Sequence, residues 1–118
     1  MEITIYHNPN WSKSRESVKI LQKEKRSFKI INYCKEGLST KTINLIIDRL
    51  QIEPLELIRK KDKIFIGLKL TSEQLSNKQF LIKIINQYPK LLERPIILND
   101  KYGVIGRPVD NIYRILWA

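Results

Sequence analysis

The chain has 118 residues, 42% hydrophobic and 29% charged, which suits one globular α/β domain over residues 1–118 and leaves too little chain for two cores. Twenty-two lysines and arginines against 12 acidic residues give a formal net charge of +10 at pH 7, which favours anionic partners without choosing among oxyanions, phosphates, nucleic acid or an acidic protein surface. One cysteine and one histidine exclude an intrachain disulfide and any multi-cysteine metal site.

Glu2–Tyr6 has the β-branched and aromatic residues of a strand buried on both faces. His7-Asn8-Pro9-Asn10 ends it, and a helix follows to about Arg26, with Ser12 and Ser14 as candidate N-caps and Val18 and Leu21 continuing an apolar face that Trp11 starts. Phe28–Tyr33 reads as a second strand. Strand, helix and strand make a βαβ unit with parallel strands. Gly37 and Ser39 mark a turn and a cap, after which Ile43, Ile46, Ile47 and Leu50 have amphipathic helix spacing. Pro54 opens a short helix that buries Leu55 and Ile58 and places Arg59 near its end. Lys61–Leu70 fits either a brief extended piece or a loop anchored by apolar side chains. Thr71 with Gln74 has capping-box spacing, and Leu81, Ile84, Ile85 and Tyr88 keep the helical period until Pro89. Arg94–Leu98 is the third strand, Asn99–Gly103 a turn, and Val104-Ile105 the fourth strand, antiparallel to the third. Arg107-Pro108 starts a last helix in which Val109, Ile112 and Leu116 pack inward. The pattern is a four-stranded mixed sheet with a helical insertion between strands 2 and 3.

The junction after the first strand is suited to anions. A loop there aims the unpaired N–H groups of the next helix's first turn at whatever it holds, with the positive helix end behind them. Lys13 and Arg15 put positive charge at that positive end, which is consistent with an anion nearby or with plain solvent exposure. The remaining lysines are scattered over helix faces, so nucleic acid is not the expected partner. No apolar stretch approaches the roughly 18 residues of a membrane span, and no secretion-type leader is visible, so a cytoplasmic location without membrane contact is expected.

Three segments carry a resemblance: HNPNWSKSRE after the first strand, Arg59 after LELI, and RPIILND followed by GRPVDNI. Together they resemble the glutaredoxin-dependent arsenate reductase family, which includes the Spx-type transcriptional regulators, in the right order along essentially the whole chain. The resemblance implies a thioredoxin-like fold, a cis peptide before Pro95 and three oxyanion-binding arginines, matched by Arg59, Arg94 and Arg107, with His7 and Asn8 as the loop residues. It also implies a nucleophilic loop cysteine that attacks arsenate, with glutathione and glutaredoxin as reductants and no bound cofactor. In this chain that position is Trp11.

The departure matters chemically. A thiolate is a strong nucleophile that another thiol can regenerate, whereas indole Nε1 is only a donor. Ser12 is adjacent, but its hydroxyl needs a base, and His7 is the one histidine. Cys34 lies just beyond the second strand at the same sheet edge, and an inert, buried packing residue is its ordinary reading. Each arginine taken singly fits a surface charge. As a set, with two of them preceding prolines at element boundaries, they fit a pocket for arsenate, phosphate or sulfate. Trp11 can fill the emptied pocket, cap it as a stacking surface, or anchor a partner; burial against the apolar helix face is the expectation. Three functions follow: a family member without the reductase thiol, a regulatory module resembling Spx with RNA polymerase as partner, or an oxidoreductase using Ser12 or Cys34.

Overall fold

β1 (Ile3–His7) sits inside a four-stranded sheet of order β2-β1-β3-β4, where β2 is Phe28–Asn32, β3 Ile96–Leu98 and β4 Gly103–Ile105. β1 pairs in parallel with β2, Ile3 opposite Phe28 through His7 opposite Asn32, and antiparallel with β3, Ile5 opposite Ile97. β3 and β4 are antiparallel. Parallel neighbours need a crossover, and α1 (Ser12–Lys23) supplies it. The computed structural model describes residues 2–116, which group into two compact units: the chain up to Glu36 together with Arg94 onward, and Gly37–Glu93.

The first unit holds the sheet, α1, α2 (Tyr33–Glu36) and α7 (Ile112–Leu116). Its core gathers Ile3, Ile5, Leu21, Ile97, Ile112, Ile115 and Leu116, with Val18, Phe28 and Val104 partly buried against it. Each fully buried aliphatic side chain contributes about 1.5–3 kcal/mol of transfer free energy. β2 is an edge strand with Lys29 and Ile30 exposed, so only one of its edges is paired, and Tyr33 does not extend it. The side chains at the end of β2 explain the turn. Asn32 N–H donates to the Glu36 carboxylate at 3.2 Å while Asn32 Oδ1 accepts from Lys35 N–H at 3.3 Å, which closes α2 immediately.

β3 begins at Ile96, two residues later than expected, after a cis Arg94–Pro95 bond. Asn99 shapes the hairpin, its Oδ1 accepting from Lys101 N–H at 2.8 Å and Tyr102 N–H at 2.6 Å. At Gly106 the chain passes so near Pro95 that an added Cβ would lie 2.7 Å from Pro95 Cγ, and Gly106 N–H donates to the Pro95 carbonyl at 2.8 Å. The last helix does not start at Pro108. A second cis bond, Arg107–Pro108, leads into a 3-10 turn over Val109–Asn111, and α7 follows; Val109 is half-buried while Ile112 and Leu116 are buried.

In the second unit α3 (Thr40–Leu50) is capped by Ser39 and ends at Gln51, which adopts a left-handed φ of 54°. A 3-10 turn over Pro54–Leu57, flanked by a Glu53/Glu56 capping box, replaces the short helix expected there. Lys61–Leu70 contains α4 (Lys63–Leu68), neither strand nor loop: Asp62 accepts from Ile64 N–H at 2.8 Å and nucleates it, although none of its residues is buried. The Thr71/Gln74 capping box forms but serves only α5 (Ser72–Leu75); Asn77 starts α6 (Lys78–Gln87) anew. Ile43, Ile46, Leu57, Leu81, Ile85, Leu91 and Leu92 are among the buried residues of this unit. Ile58 and Leu92 bridge antiparallel, reinforced by Arg59 N–H donating to the Leu91 carbonyl and Glu93 N–H to the Leu57 carbonyl, each at 2.7 Å.

Candidate functional site

The loop from β1 to α1 is built on Asn8. This residue is buried; its carbonyl accepts from Trp11 N–H and its Oδ1 from Asn10 N–H, both at 3.1 Å. Trp11 has extended backbone and holds the N-cap position of α1, its carbonyl taking the first helical bond from Arg15 N–H. Indole has no acceptor, so no side chain caps this helix, and neither Ser12 nor Ser14 is its N-cap.

Ser14 turns inward instead. It is fully buried, and its Oγ accepts from Asn8 N–H at 3.0 Å and lies 2.8 Å from His7 Nδ1. The hydroxyl keeps a second lone pair as well as its own hydrogen, so it can meet His7 Nδ1 in either ring tautomer. Burial, and secondarily the nearby Arg15 guanidinium, push the His7 pKa below its ordinary value, so the ring is neutral at neutral pH. His7 is thereby engaged with Ser14 and not with Ser12, which is exposed and gains no base from it.

The two first-turn cations are held by their own chain. Arg15 Nη1 donates to the Pro9 carbonyl at 3.0 Å, and Lys13 Nζ lies 3.5 Å from Glu16 Oε2. Trp11 is not buried in an emptied pocket. It is 44% exposed, and Arg94, only 3% exposed, places its Cζ 3.4 Å from the ring centroid. The inward stripe of α1 is already filled by Ser14, Ser17 and Leu21, so the ring at the cap position takes the guanidinium as its neighbour. A buried arginine needs compensation for lost hydration, and the π-face supplies part of it.

Arg107 is exposed, at the same open end of the β3–β4 hairpin as Arg94, because Ile96 pairs with Ile105 and Gly106 N–H donates to the Pro95 carbonyl at 2.8 Å. Arg59 belongs to the second unit, where its Nη1 lies 3.1 Å from Asp62 Oδ2, the carboxylate that also caps α4. Cys34, in α2, is exposed and not the packing residue expected, because the turn closed by Asn32 and Glu36 carries it off the sheet. Its neighbour Asn32 is the register partner of His7. Among the described residues, no group of three or more His, Cys, Asp or Glu side chains is placed to hold a metal, and no helix is long and apolar enough to cross a membrane. Sequence reasoning missed the buried role of Ser14 and the partners of Arg15 and Arg59.

A profile of the ArsC family matches residues 6–115. The chain belongs to the ArsC family. It is similar to the arsenate reductase of Haemophilus influenzae, 34% identical over 98% of this chain and 100% of the relative. It is also similar to the global transcriptional regulator Spx of Bacillus subtilis, 31% identical over 97% of this chain and 86% of that protein. Among solved structures, an arsenate reductase from Vibrio cholerae superimposes with a TM-score of 0.91 at 29% identity, covering 98% of both chains. The ArsC-family chain thus has the thioredoxin-like α/β fold, with the residues between β2 and β3 as its helical insertion, and its relatives include both reductases and regulators.

Proposed function

We propose that this ArsC-family protein does not reduce arsenate by the family's thiol route, and that its arginines serve to bind a small oxyanion such as arsenate, phosphate or sulfate. The carrying observation is the identity of the group at the mouth of α1: an indole, with the Arg94 guanidinium against its face at 3.4 Å. Indole has neither an ionisable nucleophilic atom nor a sulfur that glutathione or glutaredoxin could reduce. The neutral His7 is engaged with Ser14, which supports the same reading by leaving Ser12 without a general base. A cytoplasmic location belongs to this reading.

The test is a coupled assay with arsenate, glutathione, glutaredoxin and NADPH. The expected rate equals the enzyme-free blank, and turnover comparable to a cysteine-bearing arsenate reductase refutes the proposal. Trp11→Cys is expected to raise the rate above the blank.

A second reading, a regulatory module that docks on a protein such as RNA polymerase, is favoured by the similarity to Spx and by the 44% exposure of Trp11, since exposed tryptophans serve well as interface anchors. Immobilised protein that retains no purified RNA polymerase above a blank resin excludes it.

A further inference from the structure

α4 is apolar in composition and buries none of its residues. Four of the six residues of Lys63–Leu68 are large hydrophobics; Ile66, at 61%, is the most exposed such side chain among the described residues, and Ile64 stands at 36%. Both ends of the helix are fixed all the same. Asp62 caps the first turn, and Lys69, at a left-handed φ of 48°, returns its N–H to the Ile66 carbonyl at 3.2 Å. At about 100° per residue, the half-buried Phe65 and Leu68 share the inner side, and the outer side presents Ile66, Lys63, Gly67 and Ile64 in that order across the helix. A Cβ added at Gly67 would meet nothing within 4 Å, so bare backbone lies open between the two isoleucines. Exposed apolar side chains held on a fixed element mark a surface that something else covers.

The charges around this side are of one sign. Lys60, Lys61, Lys63 and Lys69 are all exposed, and among the described residues none of them is in an ion pair. The one carboxylate of the stretch, Asp62, is committed to Arg59 at 3.1 Å and to the Ile64 N–H at 2.8 Å. We infer that the outer side of α4 is a docking surface for an acidic amphipathic helix of another protein, whose apolar stripe seats on Ile64 and Ile66 and whose carboxylates meet the lysines. A second copy of this chain would set the same four lysines against their own kind. A lipid surface takes a helix with one unbroken apolar face, whereas here Lys63 and Gly67 stand between the isoleucines. A protein helix uses both: a carboxylate reaches Lys63, and the absent side chain at Gly67 lets its backbone approach closely. None of these residues belongs to the loop at α1 or to the proposed oxyanion-binding arginines.

The experiment is fluorescence anisotropy of a labelled, acetylated peptide of Leu, Glu and Ala with leucines at i, i+3, i+4 and i+7, titrated with the full chain. The control peptide has the same composition with its leucines dispersed. The patterned peptide is expected to bind in the micromolar range, more weakly as ionic strength rises, and about ten-fold more tightly than the control. Ile66→Ser should weaken it about ten-fold. Gly67→Gln should weaken it similarly while keeping or raising the thermal midpoint, because glutamine favours a helix and has open space there, so lost binding cannot be lost folding. Changing Lys60, Lys61, Lys63 and Lys69 to Gln should remove most of the salt dependence, and changing the exposed Lys19, Lys23, Lys29 and Lys101 should leave most of it. Equal binding of the two peptides, binding unmoved by both Ile66→Ser and Gly67→Gln, or no binding at about 1 mM overturns the proposal. Two other results also overturn it by naming a different occupant: co-sedimentation with phosphatidylserine vesicles that Ile66→Ser abolishes, or a dimer in analytical ultracentrifugation that Ile66→Ser dissociates.

Discussion

Replacing Ser14 by alanine is the sharpest test of how the loop is held. The hydroxyl is fully buried and serves two groups, accepting from Asn8 N–H at 3.0 Å and meeting His7 Nδ1 at 2.8 Å. Its removal leaves the Asn8 amide, in a residue only 6% exposed, without this acceptor, at a cost of about 1–3 kcal/mol. The lost bond to half-buried His7 adds about 0.5–1.5 kcal/mol. Alanine's better helix propensity returns roughly 0.5 kcal/mol. The net expectation is a loss of about 2 kcal/mol, or roughly 6–12 °C in Tm for a chain of this size. Ser12→Ala is the matched control: the residue is exposed and next to the same helix end, and its stability should stay within about 0.5 kcal/mol of wild type. Urea denaturation followed by circular dichroism measures both. If Ser14→Ala stays within about 0.5 kcal/mol of wild type, or Ser12→Ala loses as much, the buried network does not anchor the loop.

Gly106→Ala should destabilise by about 1–3 kcal/mol, because its Cβ would press on the Pro95 ring at 2.7 Å and on Ile97 Cδ1 at 3.0 Å; an unchanged thermal midpoint would contradict the close approach. His7 has a folded-state pKa below its unfolded value, so the unfolded chain binds the extra proton, and stability should fall as pH drops below about 6.5 until the folded pKa is passed. Subtracting the stability–pH curve of His7→Asn should remove that slope, and parallel curves would show that His7 does not contribute it. Asn77→Ala should cost about 1 kcal/mol, since Asn77 Oδ1 accepts from Phe80 N–H at 3.0 Å at the start of α6, and a chemical melt that does not move would count against that cap.

What could be read from the sequence was local or forced by topology. The strand–helix–strand order required β1 and β2 to be parallel, and Ser39 and the Thr71/Gln74 pair announced their helix starts with side-chain chemistry that works within one turn. The misreadings occurred where a distant or polar partner decided the outcome. Tyr33 has strand propensity, yet Asn32 and Glu36 close a turn around it; α4 has no buried stripe, so no period could reveal it. Trp11 looked like a core residue because its natural partner, a buried guanidinium, comes from the other end of the chain.

The case of Ser14 differs, because its signal was present. Ser14, Ser17 and Leu21 lie at i, i+3 and i+7 and form the buried face of α1, a helical stripe visible in the sequence once serine is counted among core residues. A helix that opens beside a polar loop has reason to bury hydroxyls in its first turns. There Ser14 meets the Asn8 backbone amide and an imidazole, and a methyl group in place of Ser14 Oγ would strand the Asn8 N–H. Further along the helix, Leu21 meets Ile3 and Ile5 of the sheet core, so the same stripe changes from hydroxyl to hydrocarbon as its surroundings change from loop to strand. In this chain the hydroxyl end of the stripe points at His7 and Asn8, one residue class away from what apolar periodicity alone can detect.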